Sequence, residues 1–194
     1  GTLLKLAEEL CKNTGYDEVS LSSLSTGDYS CLPQLTRELN ERLVPKRVSI
    51  SLPSLRLDKP LSESLEQTQK VRKSSLTFAP EAGSQRLRDV INKGVTEEDL
   101  KRTAHDAFSG GWNAIKLYFM IGLPTETEDD LRGIMETARL VVSEYFAVPK
   151  DVRARGLRVT VSVSSFVPKP FTPFQWEPQD TIGMIEQKQA FLRD

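Results

Sequence analysis

Residues Lys116–Leu131 read KLYFMIGLPTETEDDL, and the fold turns on how that stretch is divided. An apolar run ends abruptly at Gly122. Pro124 follows, then threonines and acids, then an amphipathic pattern. The run reads as a buried strand. Beyond it, Leu131, Ile134, Met135, Ala138, Val141 and Tyr145 recur at three- and four-residue spacing, which predicts a helix. Thr127 and Asp130 have the spacing of an N-terminal capping pair, with Glu126 and Glu128 near the positive end of the helix dipole. The stretch is therefore a strand-to-helix corner.

The same alternation extends in both directions. Leu3, Leu4, Ala7, Leu10 and Cys11 predict a first helix, and VSLSSL a strand after it. Pro33 suits the first turn of a helix carrying Leu35, Leu39 and Leu43. RVSISL (Arg47–Leu52) is the next strand, with a weaker helix at Leu61–Arg72. SSLTFA is a strand, followed by a short helix with Leu87, Val90 and Ile91. Thr96 and Asp99 open another helix, which SGGW stops before the strand at the quoted stretch. LRVTVSVSSF is the last strand, and Ile182–Phe191 begins a final helix. Strands alternating with helices imply crossover connections and a parallel sheet. No glycine-rich dinucleotide fingerprint is present, since GSQRLRD and SGGWN fail it. The expected fold is α/β, a partial parallel βα (TIM-like) barrel with five main strands, forming a single domain over residues 1–194.

Composition narrows the function classes. Apolar residues make up 38% and charged residues 27%, ordinary for a globular protein. A formal charge of −1 gives no polycationic argument for nucleic acid or anionic membrane. No apolar run is long enough to span a bilayer, and residues 1–15 read as an amphipathic helix rather than a signal peptide. Two distant cysteines, Cys11 and Cys31, and a single histidine, His105, give no metal-ligand spacing. Cys11 reads as a small buried side chain and Cys31 as a free thiol at a helix start. The composition suits a reducing cytoplasm.

In βα barrels the chemistry sits at the carboxyl ends of the strands. The five ends here are SSLSTGDY, SLPSLRLD, FAPEAGSQ, MIGLPTETE and SSFVPKPFTP. All are polar or rich in Gly and Pro, whereas the helix-to-strand turns (NTGYDE, LVPK, SGGWN) are ordinary. That asymmetry points to a binding or catalytic barrel.

Those ends carry a family resemblance. FAPEAGSQRLRDVINKG resembles the fourth-strand segment of radical S-adenosylmethionine (SAM) proteins. Members of the methylthiotransferase and elongator-type branch have Gln-Ser-Gly-Ser and a later Asn-Arg-Gly there. Glu81-Ala82-Gly83-Ser84 and Asn92-Lys93-Gly94 occupy those places here. FMIGLPTETEDDL resembles the fifth-strand signature Gly-Leu-Pro-x-Glu-Thr, and SSFVPKPFTP the sixth-strand exit with its Pro-x-Pro-x-Thr-Pro run. Taken over the whole chain, the likeness is to large radical SAM proteins, some of which carry a cobalamin-binding-type domain before the core.

The resemblance implies roles, residue by residue. Gly122 would let the adenosine of SAM approach the backbone. Glu81 would accept hydrogen bonds from the ribose hydroxyls, with Ser84 in the same segment. Lys93 would meet the SAM carboxylate, keeping the charge of the family's arginine without its fork. Ser25, Asp28 and Tyr29 lie where other members hold the SAM ammonium, often through a Gly-Gly-Glu that this sequence lacks. Ser51, Ser54 and Arg56 lie at the next strand end, with Arg56 facing SAM or substrate. Val167 would offer backbone to adenine. Tyr118, Phe119 and Trp176 read as core or rim packing.

The largest departure concerns iron. The family holds a 4Fe–4S cluster with a Cys-x3-Cys-x2-Cys loop after the first strand, and this sequence has no such loop. The chain begins directly in a helix and ends inside one, so the expectation is a piece of a larger polypeptide, with the first strand and the cluster loop upstream. The parent would cleave SAM reductively to a 5′-deoxyadenosyl radical, and this chain alone would be inactive. Its partners would be the rest of the parent, including the cysteine loop and in some relatives a cobalamin-binding-type domain. Two other readings stay open. One is a different barrel enzyme acting on a phosphorylated metabolite, although VPKPFTP is too proline-rich to cradle a phosphate. The other is a non-catalytic or metabolite-binding barrel that uses the strand-end pocket without a cluster.

Overall fold

The computed structural model describes residues 1–21, 29–51 and 76–193. Within these, the element order is α1 (Thr2–Thr14), β1 (Glu18–Ser20), α2 (Leu32–Leu43), β2 (Ser49–Ser51), β3 (Leu76–Glu81), α3 (Gln85–Val90), α4 (Glu97–Ser109), β4 (Ala114–Ile121), α5 (Glu128–Ala147), β5 (Arg158–Ser165) and α6 (Ile182–Arg193). All strand pairings are parallel. The architecture is that of a partial parallel βα barrel, as the alternating pattern predicts. The expected helix at Leu61–Arg72 lies outside the described residues.

The described strands form two sets rather than one continuous sheet. β1 pairs with β2, aligning Val19 with Ile50. β3, β4 and β5 form a second set in that order. Among the described residues β1 and β2 are three residues each; the last three residues of VSLSSL and Leu52 of RVSISL lie outside them.

The first set packs against α1 and α2, burying Leu4, Ala7, Leu39, Leu43, Val48 and Ile50. Cys11 is only partly buried against this cluster. Cys31 is a free, exposed thiol at the start of α2.

The second set has a larger core. Alternation along β4 sends Ile115, Leu117, Phe119 and Ile121 to one face, where Phe78 of β3 joins them. That face packs on Phe108 of α4 and on Leu131, Ile134, Val141 and Tyr145 of α5. Each such side chain stabilises the fold by roughly 1.5–3 kcal/mol. The other face carries Lys116, Tyr118, Thr160 and Ser162, set side by side by the β4–β5 register. Polar residues on that face explain why LRVTVSVSSF alternates instead of reading as a continuous apolar run.

The helix starts follow local chemistry. Thr96 and Asp99 bond each other's backbone amides at 3.0 and 3.1 Å, the expected box at the head of α4. Gly111 (φ 81) supplies the left-handed residue after α4. No helix among the described residues is long and apolar enough to cross a membrane.

Candidate functional site

β3 and β4 run parallel and adjacent, so their carboxyl ends open on the same side of the sheet. A register irregularity between Phe78 and Glu81 puts one extra residue into β3, and Glu81 still pairs with Phe119 of β4. Glu81 then takes a left-handed backbone (φ 68), uncommon for a non-glycine residue and typical of functional corners. Its carboxylate meets the Lys93 ammonium at 3.3 Å, with both side chains part-exposed.

Behind Glu81, the loop turns onto α5. Gly83 lies so close to α5 that a Cβ added there would come within 2.6 Å of the Gly133 carbonyl carbon. A Cβ on Gly133 would come within 2.7 Å of Gly83 in return. Thr137 donates to the Gly83 carbonyl at 3.2 Å. Arg88, 2% exposed, donates to the carbonyls of Ala82 and Gly83 at 3.1 and 3.0 Å. Burial pulls its pKa below the ordinary arginine value. It acts as a strut for the β3 exit.

Asp130 ties the two strand exits together. Ser84 Oγ and Arg86 donate to its two carboxylate oxygens. The Thr127 amide and hydroxyl donate at 2.7 and 2.8 Å. Arg86 also donates to the Thr125 carbonyl at 2.8 Å, and Thr125 is itself left-handed (φ 66). Burial pushes the Asp130 pKa up, but the bonds from Arg86, Ser84 and Thr127 outweigh it and hold the group at about 2. Ser84 is thereby committed to the protein: its oxygen accepts from the Leu87 amide at 3.1 Å, capping α3, while its hydroxyl hydrogen goes to Asp130.

At the β4 exit the Gly122 amide donates to Glu126 Oε1 at 2.9 Å. Glu126, whose side chain is 2% exposed, receives the Lys188 ammonium at 2.7 Å. Lys188 also meets Asp180 at 2.6 Å. Burial works against the charged amine, but the hydrogen bonds to Asp180 and Glu126 outweigh it and raise its pKa. Gly122 is left-handed (φ 78), and a Cβ there would stand 2.7 Å from Asp180 Oδ2. The group that closely approaches this glycine on its Cβ side is thus the protein's own carboxylate.

The remaining expected residues divide as follows. Glu81 and Lys93 are brought together, at the same end of the sheet as Gly122. Val167 is exposed just beyond β5. Its neighbour Phe166 donates its amide to the Ile121 carbonyl at 2.8 Å and packs on a cluster of Ala82, Leu87 and Leu123. Ser51 ends β2, its carbonyl accepting from the Leu21 amide at 3.0 Å. Nothing described joins Ser51 to the Glu81–Gly122 end. Ser25, Asp28, Ser54 and Arg56 lie outside the described residues. Phe119 is core, as expected, and Tyr118 is part-exposed beside Lys116. Trp176 is not a packing residue: it is 88% exposed, on a connection whose apolar contact runs through Phe166 and Phe174.

The donor set can be compared with the groups the resemblance implies. Glu81 and Lys93 offer a carboxylate for hydroxyl donors and an ammonium for a carboxylate, both reachable from solvent, which suits the chemistry of SAM. A cluster is not matched: among the described residues no three Cys, His, Asp or Glu side chains could share a metal ion. Cys11 and Cys31 stand on different helices.

The family described as the Radical SAM superfamily matches residues 2–138, a span that takes in both strand exits. Uncharacterized protein MJ0966 of Methanocaldococcus jannaschii is 36% identical over 178 residues. The match covers 92% of this chain and 36% of that relative, so the chain spans about a third of the relative's length.

Proposed function

The chain belongs to the Radical SAM superfamily, and from that premise we propose that it contributes most of the SAM-binding barrel of a larger enzyme. The observation that supports this best is the pairing of two adjacent strand exits inside the matched span. One carries the Glu81–Lys93 pair and the other the backbone of Gly122. Glu81 would accept the ribose hydroxyls, Lys93 would meet the ligand carboxylate, and the Gly122 and Val167 backbones would border the adenine. Asp28, Ser25, Ser51 and Arg56 would complete the site from the earlier strand ends. Ser84, already bonded to Asp130 and the Leu87 amide, would act by shaping the loop.

The parent would be an iron–sulfur enzyme of the methylthiotransferase and elongator-type branch, working in the cytoplasm. Its Cys-x3-Cys-x2-Cys loop would lie elsewhere in the polypeptide, since residues 1–194 hold only two cysteines. When bound, the cluster supplies the electron for reductive cleavage of SAM to a 5′-deoxyadenosyl radical. A cobalamin-binding-type domain in the same polypeptide is part of this reading. A metabolite-binding barrel without a cluster is the weaker reading, because it leaves the superfamily match unexplained.

The test uses the parent polypeptide purified anaerobically and supplied with iron, sulfide, a reductant and SAM. Formation of 5′-deoxyadenosine supports the proposal. A parent that assembles a cluster yet forms none overturns it.

A further inference from the structure

The β4 exit is locked by a residue from the last helix. A buried carboxylate needs a counter-charge, and Glu126 finds none on its own loop. The cations at the neighbouring β3 exit are committed elsewhere: Arg86 to Asp130 and the Thr125 carbonyl, Arg88 to the Ala82 and Gly83 carbonyls, and Lys93 to Glu81. The counter-charge for Glu126 is Lys188 of α6, whose ammonium also holds Asp180. Gly122 is consequently gripped twice. Glu126 holds its amide at 2.9 Å, and Asp180 rests against its Cα where no Cβ would fit. One ammonium fixes both carboxylates.

Apolar burial alone gives α6 little hold. None of its residues is fully buried, and only Ile185, Phe191 and Leu192 pack partly on the core. Lys188 nevertheless has a side chain only 19% exposed. We infer that Lys188 is a positioning residue: through Glu126 and Asp180 it sets the Gly122 backbone against which the adenosine of SAM would rest. The ligand half of this inference rests on the SAM-binding reading above. The grip on Gly122 stands without it.

The test uses the full-length parent as wild type, Lys188→Met, Lys188→Arg and Asp180→Asn. Amide exchange is followed over Gly122–Glu126 without ligand, and SAM affinity is measured by calorimetry. Lys188→Met should speed exchange at Gly122 by about a hundredfold while the body of β4 stays protected. It should also raise the Kd for SAM by about tenfold. Lys188→Arg should restore both. Unchanged Gly122 exchange in Lys188→Met overturns the inference. Faster exchange with unaltered SAM affinity reduces the contact to a structural one and overturns it too. A wild type that fails to bind SAM, while Lys188→Met still frees Gly122, overturns the SAM reading and the ligand half with it. Should Lys188→Met not fold, Asp180→Asn decides. It breaks one of the two contacts through which Lys188 acts, so Gly122 should exchange faster than in wild type while the body of β4 stays protected, and wild-type exchange there overturns the inference.

Discussion

Gly83 and Gly133 meet backbone to backbone, the loop after β3 resting directly on the middle of α5. Glycine inside a helix costs about 1 kcal/mol relative to alanine. Here that cost is offset, because only a residue without Cβ lets the loop seat. Gly133→Ala would place a methyl carbon 2.7 Å from Gly83 and push the loop off the helix. The expected loss is about 2–4 kcal/mol, read as a lower midpoint in chemical denaturation. A Gly133→Ala variant as stable as wild type would show that this contact is not tight.

Asp130 makes stability depend on pH in a defined window. Its folded pKa is about 2, against an ordinary 3.8. A depressed carboxylate pKa stabilises the fold fully above the unfolded value and loses that contribution as pH falls through the folded one. The size is about 2 kcal/mol, lost between about pH 5 and pH 2. Asp130→Asn should be less stable than wild type at pH 6, and the gap should narrow markedly at pH 2. Denaturation curves of the two proteins at both pH values make the comparison. A constant gap would place the Asp130 contribution somewhere other than its charge.

Glu81 separates ligand binding from folding. At φ 68 a glycine is less strained than a glutamate. Glu81→Gly should therefore leave the melting temperature of the parent unchanged or slightly higher. It should weaken SAM binding by about tenfold, as should Lys93→Met, because each removes one polar contact of the proposed site. A Glu81→Gly protein that melts earlier and binds SAM normally would make the Glu81–Lys93 pair a structural bridge.

Much of this was legible in the chain, and the reasons are local. The apolar run ending at Gly122 and the capping boxes at Thr96 and Thr127 are short-range signals, and the elements formed as their periodicity indicates. Glu81 and Lys93 could be named because they stand inside recurring strand-exit motifs. Asp130 was visible only as a helix cap. Its second role depends on Ser84 and Arg86 arriving from another loop, which no spacing within α5 encodes. Lys188 and Asp180 gave no signal at all, since nothing along α6 says that its one sheltered lysine will meet Glu126. The motif around Gly122 implies room for a ligand, yet on its Cβ side the room is filled by Asp180. A glycine in the sequence reports that something comes close, not what it is.

The chain of residues 1–194 taken alone should not assemble a 4Fe–4S cluster. Such a cluster needs thiolates converging on one point, and the sequence holds two cysteines in all. Cys11 is part-buried along α1, while Cys31 is exposed at the head of α2. Anaerobic reconstitution with iron and sulfide should leave this chain with no stoichiometric iron and no 5′-deoxyadenosine from SAM. SAM itself should bind weakly, since Glu81 and Lys93 would hold it without the cluster iron that its amino and carboxylate groups would chelate in the proposed enzyme. The parent polypeptide under the same conditions should take up iron and form the product. Iron content and product yield, measured side by side, decide the matter. A full cluster on the short chain would mean that its ligands are not a cysteine triad.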